Sequence, residues 1–236
     1  GTEVAKDASS MILTDDNFST IVKAISNGRS IYENIQNAIR FLLSGNTGAI
    51  LVVLYATLFA LPAPFAPVHL LFINLLTDSL PAIAIGLEPH NKKVMYERPR
   101  DIRKPLLSKE FATNVALEGI IIAFATIIAF EIGRQTDTIT ASTMAFATLC
   151  LARLFHGFNC RSKQPLYKIG LFSNKESWLA FLAGVILLHI VLLIPALSGV
   201  FEVAALDWSQ LFTIYGLAII PLIVVQLWKT IAQKQS

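Results

Sequence analysis

Six predominantly apolar segments constrain this chain more than any other feature: Phe41–Leu61, Val68–Leu87, Phe111–Gly133, Ile139–Phe158, Trp178–Leu197 and Leu211–Trp228. A helix needs about 17–25 such residues to cross a bilayer. In hydrocarbon every backbone N–H and C=O must find its partner within the protein, which leaves the helix as the form such segments take. An all-α membrane protein with six transmembrane helices is therefore predicted. Composition agrees, since 54% of the 236 residues are hydrophobic, 15% are charged and the mean hydropathy is +0.61, too apolar for a soluble domain of this size.

Basic residues set the orientation. Lys92, Lys93, Arg98, Arg100, Arg103, Lys104 and Lys109 lie between the second and third segments, and Arg161, Lys163, Lys168 and Lys175 between the fourth and fifth. The opposite connections are nearly free of them, with none in 62–67 and only Arg134 after the third segment. By the positive-inside rule the basic loops are cytoplasmic, and both termini are expected on that side. The net charge of +3 and the pI near 8.9 follow from these loops and give no reason to expect a nucleic-acid partner; the expected surroundings are the lipid bilayer. Three prolines and seven basic residues make Glu88–Lys109 a surface connection with little regular structure. Cys150 and Cys160 are ten residues apart on one helix, about 15 Å of rise and beyond disulfide reach, so free thiols are expected.

Ahead of the first segment, residues 1–17 are polar and of mixed charge, with Asp15-Asp16-Asn17 as a helix-capping cluster. They read as the edge of a soluble domain whose remainder lies upstream, so the chain is expected to be a fragment, and nothing in them resembles a signal peptide. From Phe18 a 3.6-residue apolar pattern runs through Ile21, Ile25, Ile31, Ile35 and Ile39 with no proline before Pro62. It predicts one stalk helix of about 40 residues, roughly 60 Å long, continuous with the first span.

The chemistry concentrates in the second segment, where Asn74, Thr77 and Asp78 stand at i, i+3 and i+4 on one helical face. A carboxylate inside the membrane costs several kcal/mol unless partnered and is functional by default. Pro81 deprives the Thr77 carbonyl of its helical donor. Oxygen side chains beside a freed carbonyl suit a hard cation such as calcium; a kinked helix packed against neighbours is the competing reading. In the first span Ser44-Gly45-Asn46-Thr47-Gly48 offers small residues for close packing and, in Asn46, another oxygen. Glu118 reads as a carboxylate snorkelling to the interface. Arg153 stands in the fourth span about five residues from its inner end; so long a side chain can snorkel, but a guanidinium at that depth more often pairs with a carboxylate, with Asp78 and Glu118 as the candidates. His156 and His189 are lone histidines with no second ligand at usable spacing, so they read as structural, with no His/Cys metal site.

Two blocks, Gly1-Thr2-Glu3-Val4-Ala5-Lys6-Asp7-Ala8-Ser9 with Thr14-Asp15-Asp16-Asn17-Phe18, and Asn74-Leu75-Leu76-Thr77-Asp78-Ser79-Leu80-Pro81-Ala82, resemble the C-terminal part of P-type calcium-transporting ATPases of the bacterial kind. Arg98-Pro99-Arg100 and Lys104-Pro105-Leu106 add to the likeness. The resemblance implies that residues 1–17 are the end of the phosphorylation domain. It makes 18–236 the stalk and membrane helices five to ten of ten. Carried over by position, Asn74 and Asp78 resemble ligands of that family's second calcium site, and Thr77 and Asn46 ligands of its first. Ala49 and Arg153 stand where the two-ion members have glutamates, which implies loss of the first site and one calcium per cycle, with protons as counter-ion.

Calcium is then the transported ion, while ATP and magnesium would be bound by the missing cytoplasmic domains. The partner would be the N-terminal part of the same pump. A bacterial plasma membrane is the expected location. The chain has no D-K-T-G motif and is not expected to hydrolyse ATP alone. Manganese in place of calcium, and a secondary cation transporter or channel using the same helix, remain the alternatives.

Overall fold

The computed structural model describes residues 2–15, 17–90, 92–96 and 107–234. Arg98, Pro99, Arg100, Arg103, Lys104, Pro105 and Leu106 of the basic loop, with Gly1 and Asp16, lie outside the described residues. Among the described residues six helices or helix pairs are long and apolar enough to cross a membrane, as the hydropathy pattern implied.

A single turn, α1 (Glu3–Asp7), precedes the stalk. The stalk helix α2 runs unbroken from Phe18 to Leu58, 41 residues. Its start is tied by local polar bonds: Asn17 Oδ1 accepts the Ser19 N–H at 3.0 Å and Asp15 accepts the Thr20 hydroxyl at 2.6 Å. The Thr20 bond, then the Asn17 backbone N–H, holds the Asp15 carboxyl below its ordinary range.

The second span is not one α-helix. It begins as α3 (Pro67–Phe72), with proline in the first helical position where its missing N–H is not needed, and continues as a π-helical turn over Ile73–Thr77, in which Asp78 N–H reaches back five residues to Ile73 O at 2.8 Å. It resumes as α4 (Ser79–Gly86). Pro81 falls in the first turn of α4, among N–H groups that have no intrahelical partner anyway, so the helix restarts around it. The end of this span is clasped from three sides. Asn34 of α2 donates to Glu88 O at 3.0 Å, Arg161 pairs with the Glu88 carboxylate at 2.8 Å, and Asn174 donates to Ala84 O at 3.0 Å. Beyond it the loop forms a short 3₁₀ turn over Lys92–Tyr96, and Arg29 of the stalk donates to Val94 O at 2.8 Å.

A tight hairpin joins α5 (Lys109–Arg134) to α6 (Thr138–Asn159). Each starts on a side-chain cap, Ser108 for Phe111 N–H and Asp137 for Thr140 N–H. The Thr140 N–H holds the Asp137 carboxyl below its usual range. After the single turn α7 (Leu166–Ile169) come α8 (Lys175–Leu193), the short outer α9 (Pro195–Phe201), and α10 (Trp208–Ala218). The last helix, α11 (Ile220–Lys234), continues the line of α10 after a break at Ile219, so the sixth span is jointed, where the sequence pattern suggested one helix.

The centre of the bundle is α6, whose apolar stretch is 78% buried against 22–50% for the other five. It touches α2, α5, α8, α10 and α11, and its Ala141, Ala145, Ala147 and Ala152 leave those neighbours room to approach. Where α2 crosses α5 the contact is also close. A Cβ built on Gly119 would stand 2.7 Å from Thr47 Cβ, and one on Gly48 2.9 Å from Ile122 Cγ2.

Candidate cation site

Asp78 occupies the joint between the π turn and α4, and Arg153 reaches it from α6; both are buried, at 2% and 1% exposure. Arg153 Nη2 pairs with Asp78 Oδ2 and donates to Asn46 Oδ1 at 3.1 Å. The guanidinium lies over Gly45, where a Cβ would come within 2.5 Å of Arg153 Nε. Glycine at 45 therefore makes the room that the arginine fills. Ala49, one turn further along α2, is buried and adds no polar atom.

Two atoms of this pair lack a hydrogen-bond partner among the described residues: Asp78 Oδ1 and Arg153 Nε. An unpartnered carboxylate oxygen in a buried site leaves a full desolvation penalty standing, so it is where an additional positive group would bind most favourably. Around it the backbone is irregular. Ser79 Oγ donates to Leu75 O at 2.9 Å, Thr77 Oγ1 donates to Ile73 O at 3.2 Å, and Pro81 offers Thr77 O no N–H. Single π turns inside helices recur at functional sites because they re-aim side chains and carbonyls. The donor set of carboxylate, amide, hydroxyl and carbonyl oxygen is that of a hard divalent cation.

The sequence-derived site residues are distributed unevenly. Asp78, Arg153 and Asn46 are bonded together, and Thr77 is buried beside them with Cys150 Sγ 3.6 Å from its hydroxyl. Asn74 stands on the exposed face of the π turn, and Asn46 is otherwise exposed too.

Glu118 does not snorkel. It is buried at 5% exposure and grips Arg40 of the stalk through both oxygens, with Arg40 Nε at 2.9 Å. Of the two carboxylates considered for Arg153, Asp78 is its partner. Arg40 stands one residue before the first apolar segment, at the end of the stalk, and no short-range pattern ties it to Glu118, 78 positions away.

His156 is not alone either. Glu118, His156 and Cys160 bring an oxygen, a nitrogen and a sulfur within 4.8 Å of one another. Hydrogen bonding nevertheless argues against a metal there. Leu166 N–H can only donate, so it fixes Gln226 Oε1 as its acceptor at 2.8 Å; the Gln226 amide nitrogen then donates to Asn159 Oδ1 at 2.8 Å. Asn159 Nδ2 is left to donate to Pro221 O and to His156 Nδ1, both at 3.1 Å. Nδ1 is thus an acceptor, and the ring carries its proton on Nε2. That N–H faces Ser44 Oγ at 2.9 Å and Glu118 Oε2 at 3.3 Å, so the nitrogen turned towards the carboxylate has no lone pair for a metal. His189 is structural as expected, donating from Nδ1 to Val185 O and accepting from the Tyr215 hydroxyl. Both cysteines are free and buried.

Comparison with known proteins matches residues 62–231 to the family of cation-transporting ATPase C-termini. The chain is 42% identical over 224 residues to a calcium-transporting ATPase of Bacillus subtilis, covering 94% of this chain and 25% of that protein. It is 41% identical over 233 residues to calcium-transporting ATPase 1 of Lactococcus lactis, covering 98% of this chain and 26% of that protein. Over 239 residues, the whole of this chain and 26% of the relative, it is 33% identical to the human calcium-transporting ATPase type 2C member 1. The chain thus spans about a quarter of the length of these curated relatives. With its six apolar spans and its broken, carboxylate-bearing second span, it belongs to the P-type cation-transporting ATPase family, as part of that family's C-terminal membrane region.

Proposed function

We propose that this chain is the ion-binding C-terminal part of an ATP-driven calcium exporter that moves one calcium per cycle, with protons returned as counter-ion. Calcium is the ion named for its relatives, and the observation that carries the reading here is the open Asp78 Oδ1 at the break in the second span. In this reading Asp78, Thr77, Asn74 and Asn46 supply oxygens from this chain. Further ligands come from the N-terminal membrane helices meeting the exposed Asn46 and Asn74.

Arg153 accounts for the single ion. A guanidinium stays protonated at any working pH, so it stands permanently where a second cation would need negative charge, and Ala49 supplies no carboxylate to offset it. When calcium leaves, Arg153 remains on Asp78 and the site is not left as an isolated buried anion.

Residues 1–17 are the end of the phosphorylation domain, and 18–236 the stalk and membrane domain. Both ends face the cytoplasm of a bacterial cell, where ATP and magnesium engage the remaining three-quarters of the pump. The test is equilibrium calcium binding with cation-dependent ATPase activity on the full-length protein. One bound calcium per molecule and calcium-stimulated turnover are expected. Two bound ions would overturn the single-site reading, and stimulation by manganese alone would replace the ion.

A further inference from the structure

Away from Asp78, a cleft of about 570 Å³ opens between the cytoplasmic halves of α2, α5 and α11. Its polarity changes with depth. On α5 the lining passes from Glu110 and Asn114 to Leu117 and Ile121, and on α11, which runs the other way, from Gln233 and Lys229 to Val225 and Val224. Two antiparallel helices thus place polar groups at the mouth and apolar groups at the inner end, over a depth of about 16 Å at 1.5 Å per residue. At the mouth stand the exposed Lys163 and the amphipathic Trp228, a residue favoured at the membrane–water boundary. The apolar end is open sideways, since Leu117, Ile120 and Val224 keep 43%, 52% and 40% of their surface exposed. The inner wall is sealed by Arg40 and Glu118, which satisfy each other.

We propose that this cleft binds one membrane glycerophospholipid, its phosphate between Lys163 and Lys229 and one acyl chain along Leu117, Ile121 and Val224. Charge supports the assignment. Lys229 Nζ donates to Asn159 O at 2.5 Å and Ser162 O at 2.6 Å, which holds the ammonium rigidly at the mouth with one of its three protons left over. Lys163 is a second cation beside it, against one exposed carboxylate, Glu110. Level supports it too, because the basic mouth and the apolar end match the order of headgroup and chain in the cytoplasmic leaflet. A lipid is also the solvent at this depth, so the cleft meets it at saturating concentration.

The experiment is native mass spectrometry of the full-length pump, delipidated in detergent and titrated with phosphatidylglycerol or with diacylglycerol of the same chains. One phosphatidylglycerol should survive activation that strips loosely attached lipid, and diacylglycerol should not. Lys163→Glu, which leaves the apolar end untouched, and Ile121→Trp, which fills it, should each lower the retained fraction at least five-fold. Unchanged melting and calcium-dependent ATPase activity would show that the variants fold. Equal retention of diacylglycerol would overturn the phosphate contact. The absence of a retained lipid, as when another segment of the pump fills the cleft, or retention indifferent to both variants, would overturn the site.

Discussion

At the scale of single residues, two carboxylates among the described residues are buried, and each is paired with an arginine, Asp78 with Arg153 and Glu118 with Arg40. Removing one member of a buried pair strands the other and is expected to cost about 3–5 kcal/mol, while replacing both by apolar groups of similar size costs much less. For Glu118 this gives a clean double-mutant cycle: Glu118→Leu and Arg40→Met should each lower the melting temperature of the full-length pump sharply, and the double variant should recover most of the loss. Additive losses would show that the two do not act as a pair. Asp78 behaves differently because one of its oxygens is left open. Saturating calcium, at about a hundred times its dissociation constant, should stabilise the wild-type pump by about 2.7 kcal/mol by mass action; the Asp78→Asn protein should show no such gain, and chelation should leave its melting temperature unmoved. Equal calcium stabilisation of both proteins would remove Asp78 from the site.

Among the elements, the jointed second span carries the most consequence. Asn74, Thr77, Asp78 and Pro81 marked the break in the amino-acid pattern, because a carboxylate, a hydroxyl and a proline within eight residues cannot be reconciled with an ordinary lipid-facing helix. The π turn itself was not legible, since it depends on which carbonyl Asp78 N–H selects, five residues back at Ile73, in a segment that packs against both α6 and α8. The break at Ile219 left a mark of the same kind, Pro221, which has no N–H to offer Leu217 O. The Glu118–Arg40 pair left none, since it needs the crossing of α2 and α5 at Gly48 and Gly119 to bring residues 78 positions apart into contact. Clasps at the span ends are open to test as well. Asn174 caps α8 by accepting the Ser177 N–H at 2.9 Å while donating to Ala84 O, so Asn174→Ala should cost at least the ~1 kcal/mol of a lost cap. Faster hydrogen exchange at the start of α8 and the end of α4 together would separate this from a loss confined to α8. Asp137 caps α6 with its carboxyl held below the ordinary 3.8. Its contribution is therefore present above the ordinary value and lost as pH falls through the lower folded one. Protection of the Thr140 amide should fall in that acid range, and Asp137→Asn should flatten the dependence.

For the whole molecule, the proposed one-calcium reading places the stoichiometry in two positions, Ala49 and Arg153. Restoring carboxylates by Ala49→Glu with Arg153→Glu should raise bound calcium from one towards two per full-length molecule, provided Asp78 keeps its place at the joint; a single ion in a well-folded double variant would mean that the backbone of α2 and α6 sets the number. The placement of α6 also bears on how the protein is made. It is the least apolar of the six spans, it carries Arg153 in its interior, and nearly all its surface is turned towards other helices. Arg153 stands nearer the C-terminal end of α6 than its middle, so it opposes partition into lipid by less than the ~2.5–3.5 kcal/mol of a central arginine on insertion scales; with the low hydropathy of the segment this still makes α6 on its own a poor substrate for the translocon. Only residues 135–137 separate it from α5, the most apolar span. The two should therefore enter the bilayer as a hairpin, α5 carrying in a helix that would otherwise stall. In a glycosylation-mapping assay the α5–α6 hairpin should integrate efficiently and α6 alone should not, while Arg153→Leu should let α6 integrate unaided.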